Sequence, residues 1–119
     1  MKDFRDLNVW QNGMQLFDDV VKDVECFPRS EIAKVITNQI LRSVSSITAN
    51  IAEGYGRRKG KEFEHYLYIA RGSANETMDW YEKIKRLGFL SEEKYRERQR
   101  ACETIRAMLS AMITNIEQK

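Results

Sequence analysis

The stretch KEFEHYLYIARGSANETMDWYEKIKRL, residues 61–87, decides the fold. Within it Phe63, Leu67, Ala70, Ala74, Thr77, Tyr81 and Ile84 recur at alternating spacings of four and three, which puts them on one face of an α-helix. No proline interrupts the pattern, and Gly88 follows as a stop. Spacings that average about 3.5 residues suit nearly antiparallel helix packing, with axes crossing at about 20°.

Working outward, the flanking segments carry the same period. Before residue 61, Ile32, Val35, Ile36, Ile40, Val44, Ile47 and Ile51 mark a helix over about 31–54, with Ser30 as N-cap, Glu31 in the first turn and Gly54 as the expected C-cap. Further upstream, Trp10, Met14, Phe17, Val21 and Val24 define a helical face over about 9–26, closed by Phe27-Pro28. Downstream, Ser91 with Glu92 and Glu93 opens a helix over about 91–117 whose face is Tyr95, Cys102, Ile105, Leu109, Met112 and Ile116. Connections of only a few residues turn each helix back on the last, so the expected fold is all-α, an antiparallel up-down-up-down four-helix bundle in a single domain, 1–119. Leu16, Val20, Leu41, Tyr66, Tyr68, Ile69, Trp80 and Met108 fall off these faces. Each alone would only widen a core stripe, but together they predict a second buried surface and hence a homo-oligomer.

Charge is low overall, +2, but uneven: residues 1–53 carry 6 Lys/Arg against 8 Asp/Glu, and residues 54–119 carry 14 against 10. The amino-terminal residues hold charges where a signal peptide needs an apolar run, and no run of about 18 apolar residues occurs, so a soluble cytoplasmic protein without membrane contact is expected. Cys26 and Cys102 lie in no metal or redox motif and read as reduced, packed thiols.

The chemistry-bearing segment is the glycine-broken connection Gly54-Tyr55-Gly56-Arg57-Arg58-Lys59-Gly60-Lys61. Arg57, Arg58, Lys59 and Lys61 concentrate four positive charges on a short connection, a candidate contact for the phosphate backbone of RNA or DNA; the same cations also fit an ordinary solvated helix connection. Arg71 is a further candidate, as are Lys83, Lys85 and Arg86, whose position at a helix C-terminus more simply complements the helix dipole. Arg96, Arg98 and Arg100 read mostly as a solvated face. Tyr55 either stacks on an unpaired base or packs across a helix end. Asn50, Glu53, Arg71, Ser73 and Glu76 read either as a helix N-terminal anion site or, preferably, as an intersubunit hydrogen-bonded network in which Arg71 pairs with Glu53 or Glu76. Glu62-x-x-His65 is the one Glu-x-x-His pair, and a di-metal bundle site needs two such pairs, whereas His65 is the sole histidine. The glycines of the connection follow no strand and lack the third glycine of a dinucleotide loop. No enzyme activity, metal or cofactor is therefore expected.

The segments LRSVSSITANIAEGYGR (residues 41–57) and FEHYLYIARGS (residues 63–73), with FRDLNVWQ (residues 4–11) and LGFLS (residues 87–91), resemble the 23S rRNA intervening-sequence protein family, also called four helix bundle proteins. Thr48 and Ala49 stand where that family commonly has proline and serine, so a proline kink is not expected here. The resemblance implies a small bundle that assembles as a homopentameric ring. It is also similar to the accessory protein of diversity-generating retroelements, a basic pentamer that binds nucleic acid and a protein partner, a reverse transcriptase. No enzymatic activity attaches to the family. Two functions follow as alternatives: a ring that holds RNA or DNA backbone through its basic loops, or a protein-interaction scaffold whose loop charges serve solubility.

Overall fold

A computed structural model describes residues 3–57 and 60–118. A single 3-10 turn, Phe4–Asp6, precedes four helices: α1 (Asn8–Glu25), α2 (Glu31–Arg57), α3 (Gly60–Arg86) and α4 (Glu92–Glu117). Cross-helix partners fix their direction. Between α2 and α3, Ser43 meets Thr77, Ser46 meets Ser73, and Gly54 lies against Tyr66, so numbers rise on one helix as they fall on the other. The same inverse order holds between α3 and α4, from Arg71–Ser110 to Gln99–Met78, and between α1 and α4, from Asn12–Met108 to Arg98–Asp23. Each helix packs on its sequence neighbours and α1 closes the circle against α4, giving an antiparallel bundle 47 Å long and 20 Å across.

Local chemistry sets the helix ends. Ser91 accepts the Lys94 N–H to cap α4, and Ser30 accepts the Ala33 N–H at the start of α2. Gly88, at φ 76°, takes the left-handed conformation after α3. There its N–H reaches the Lys85 carbonyl at 2.9 Å and the Phe89 N–H reaches that of Ile84 at 3.2 Å, the paired bonds of a glycine-terminated helix.

α2 does not stop at Gly54. It continues to Arg57, and Gly54 is buried inside it, where a Cβ would lie 2.9 Å from Tyr66 Cβ and 3.0 Å from Phe63 Cδ1. The glycine serves close approach of α2 to α3 rather than termination. This corrects the C-cap reading.

The face expected for α3 is the one buried: Leu67, Ala70, Ala74, Thr77, Tyr81 and Ile84 are sealed in the core. In α1 the buried line is instead Val9, Gly13, Leu16, Val20 and Asp23, one residue earlier than expected at every step, a rotation of about 100°. Two contacts cause it. A Cβ at Gly13 would lie 2.6 Å from Thr48 Cγ2, so α1 meets α2 through its smallest residue, and Asp23 is held inside by partners on two other helices. Trp10, Phe17 and Val24 flank the core half-buried. Leu16 and Val20 thus need no second surface to bury them. Ile32 and Val35, expected inside, are 59% and 56% exposed, and Tyr68 and Ile69 are exposed on α3.

Asp23 anchors the polar interior. Tyr81 Oη donates to its Oδ2 at 2.7 Å, and Arg98 grips both oxygens, Nε to Oδ2 at 2.7 Å and Nη2 to Oδ1 at 3.0 Å. Arg98 is therefore a structural residue with its side chain only 11% exposed, not part of a solvated face. Burial and the adjacent Asp23 push the Tyr81 hydroxyl far above its ordinary range. A neutral ladder joins α2 to α3: Ser43 Oγ to Thr77 Oγ1 at 2.8 Å, Ser73 Oγ to Ser46 Oγ at 2.9 Å, and Asn50 Nδ2 to Ser46 Oγ at 2.9 Å.

Candidate nucleic-acid interface

The end of α2 and the start of α3 lie together, with Arg57 on the last turn of α2 and Lys61 on the first turn of α3. Arg57 ends α2, where its Nε donates to Glu53 Oε2 at 3.2 Å and its guanidinium sits 5.5 Å from the Tyr66 ring centroid. Tyr66 first and Glu53 second raise the Arg57 pKa, so its charge is permanent. Lys61 extends from the first turn of α3 with a side chain 95% exposed, its Nζ 3.7 Å from the otherwise buried Glu64. Arg57, Lys61, Glu62, His65 and Tyr66 line one shallow depression. Arg58 and Lys59 lie outside the described residues. Tyr55 is half-buried in the last turn of α2.

Arg71 does not join this group, and it pairs with neither Glu53 nor Glu76. Its Nη1 donates to Ser110 Oγ on α4 at 3.0 Å, while its guanidinium covers the Tyr68 ring at 4.8 Å. The reason is helical phase: Arg71 and Ser73 are about 200° apart around α3, so one faces α4 and the other α2. Asn50 and Ser73 meet through Ser46 inside one chain, Glu53 is taken by Arg57, and Glu76 is exposed.

The second basic cluster is also partly neutralised. Lys83 pairs with Asp79, Lys85 pairs with Glu92 at 3.2 Å and stacks on Tyr95, and all three cations of the cluster occupy the last turn of α3. That arrangement is the dipole-complementing one. His65 is exposed with its ring edge against Tyr66, and among the described residues no three His, Cys, Asp or Glu side chains gather as a metal site. Cys26 is exposed rather than packed; Cys102 is buried, and desolvation pushes its thiol up to about 12. No helix among the described residues is long and apolar enough to cross a membrane.

The model of the 23S rRNA-intervening sequence protein family matches residues 5–111, which spans all of α1, α2 and α3 and most of α4. The chain belongs to this family. The bundle is similar to the crystal structure of a protein of unknown function from the S23 ribosomal protein family of Bacteroides thetaiotaomicron VPI-5482, with 28% identity and a TM-score of 0.81 over 88% of this chain and 97% of that one. None of the curated proteins matches the chain. For this 23S rRNA-intervening sequence protein, the matched segment contains the whole basic connection, Arg71, and the buried Asp23–Arg98–Tyr81 cluster.

Sequence inspection missed Arg106. It sits on α4 with its Nη1 bonded to Asn75 Oδ1 of α3 at 3.0 Å, across the same groove that Arg71 enters. Only the α3–α4 register, which pairs residues some thirty positions apart, brings the two arginines together.

Proposed function

We propose that this 23S rRNA-intervening sequence protein is a non-enzymatic, oligomeric nucleic-acid-binding protein that holds the RNA or DNA backbone through Arg57, Arg58, Lys59 and Lys61. The observation that carries the reading is the pair Arg57 and Lys61, which flank one open depression beside the rings of Tyr66 and His65. Cations in that setting neutralise phosphates and release counterions without reading bases. Glu53, Glu62 and Glu64 lie close by, so one copy would bind weakly. Repetition around a ring, the pentamer that the resemblance implies, multiplies the effect through effective concentration.

The test is a salt titration of labelled RNA and DNA with the assembled protein. Micromolar binding that weakens steeply with salt and is lost when Arg57, Arg58, Lys59 and Lys61 become serine supports the reading. Absence of binding at low salt sinks it. Sedimentation as a 14.0 kDa species would contradict the assembly. A second reading, a scaffold that engages other proteins, is favoured by Ile32, Val35 and Ile69, apolar side chains exposed on α2 and α3. Retained oligomers with no nucleic-acid affinity would select it.

A further inference from the structure

The groove between α3 and α4 is lined by Arg71, Asn75, Glu103, Arg106, Ala107 and Ser110. It holds two half-buried guanidinium groups, one from each helix, and each is fixed by a neutral partner: Arg71 by Ser110 Oγ at 3.0 Å, Arg106 by Asn75 Oδ1 at 3.0 Å. Among the described residues neither arginine lies within 4.0 Å of a carboxylate oxygen, although Glu103 shares the groove. A guanidinium offers five N–H donors in a rigid fork, and the hydrogen bond made by each of these arginines leaves most of that fork open. Tyr68 beneath the Arg71 guanidinium orients it further, and the small Ala107 and Ser110 line the same groove. Two guanidiniums, each oriented by a neutral partner and lining one polar groove, suit the oxygens of a phosphate group.

We propose that the Arg71–Arg106 groove is a phosphate-binding site that takes a phosphodiester of the nucleic acid held at the α2–α3 connection. This rests on the preceding reading. Arg71 is ten residues along α3 from Lys61, about 15 Å, so one strand running down the helix reaches both contacts. Tyr68 donates its hydroxyl to Glu117 at 2.8 Å, so the path between them also carries a carboxylate, and the groove is a separate point of contact.

The experiment uses the full-length protein and the double variant Arg71→Gln/Arg106→Gln, with labelled single-stranded RNA and DNA at several salt concentrations and with inorganic pyrophosphate in a thermal-shift assay. Loss of this phosphate contact should lower the slope of log affinity against log salt by about 0.7 per engaged protomer and weaken binding about tenfold, with an unchanged melting temperature in phosphate-free buffer. Glu103→Gln should tighten binding. Wild-type binding with the same slope in the double variant overturns the groove and leaves the connection standing. If the wild type binds no nucleic acid, the preceding reading fails with this source of phosphate. In that case pyrophosphate stabilisation present in the wild type and lost in the double variant retains a phosphate site for a small ligand, and its absence in both overturns the site altogether. Should the double variant melt early, Arg71→Lys/Arg106→Lys keeps both charges without the fork and should retain the salt slope while losing affinity.

Discussion

Arg98 and the pair Arg71 and Arg106 are the same side chain in opposite settings. Arg98 gives a bidentate grip to Asp23, lies 3.8 Å from Asp19, and is almost wholly buried. Arg71 and Arg106 are fixed by a serine and an asparagine and remain charged toward an open groove. The difference is in the partner. A buried carboxylate such as Asp23 neutralises the guanidinium and draws it into the interior, whereas a neutral partner at an open groove positions it and leaves its charge uncancelled by that contact. Position on a helix and residue type do not separate the two cases; the surrounding partners do.

The strongest test of this contrast is to remove Arg98. Arg98→Met should destabilise the bundle by about 3–5 kcal/mol in urea unfolding, because it leaves the Asp23 carboxylate buried with only the Tyr81 hydroxyl against it. Replacing the cluster together, Asp23→Leu/Arg98→Met/Tyr81→Phe, should recover most of that loss, since no charge then stays unpaired. Equal destabilisation in both variants would mean that packing, not charge, dominates the site.

A smaller effect is expected where α1 meets α2. Gly13→Ala should cost about 1–3 kcal/mol from the forced contact with Thr48 Cγ2, partly offset by about 1 kcal/mol of better helix propensity. Adding Thr48→Ser removes that methyl and should restore stability to wild type or beyond. If the pair is merely additive, the rotation of α1 is not set by this contact.

Alkaline pH probes the same interior. Cys102 rises from 9.0 to about 12 in the fold because burial disfavours its thiolate. A group whose folded pKa is raised keeps its full contribution below the unfolded value and loses it as pH climbs through the folded one, so stability should decline between about pH 9 and pH 12. The raised Tyr81 hydroxyl acts in the same direction. Cys102→Ala should flatten part of that decline. At pH 8 a thiol reagent should label exposed Cys26 and spare Cys102 in the folded protein; rapid labelling of both would show that the core opens readily.

How far the sequence was legible follows from the same contrast. The α3 face could be read because an uncharged residue stands at every step of the alternating spacing, with Phe63, Leu67, Tyr81 and Ile84 supplying large apolar area at its two ends. The α1 face could not, because its buried line includes Gly13 and Asp23, one too small and one too polar for an apolar period to register. The basic connection was legible as a local run of charge, but Gly54 within it was misread, since its reason for being glycine is Tyr66 on another helix. Arg98 and Arg106 were opaque for a common reason. Each takes its meaning from a partner on another helix, Asp23 and Asn75, and periodicity along one helix says nothing of partners on the next.

The smallest expected effect sharpens the contrast most. Arg71→Gln/Arg106→Gln should leave unfolding free energy within about 0.5 kcal/mol of wild type, because each lost hydrogen bond goes to a hydroxyl or amide that water can reach, and no carboxylate is stranded. Ser110→Ala added to this background should change nothing further, since its partner is already gone. A loss approaching that of Arg98→Met would show that the groove arginines help hold α3 to α4, and their open charge would then be incidental to packing. Near-neutrality has the opposite meaning: two guanidiniums held in place on adjacent helices would then be unneeded for folding, as the proposed phosphate site requires.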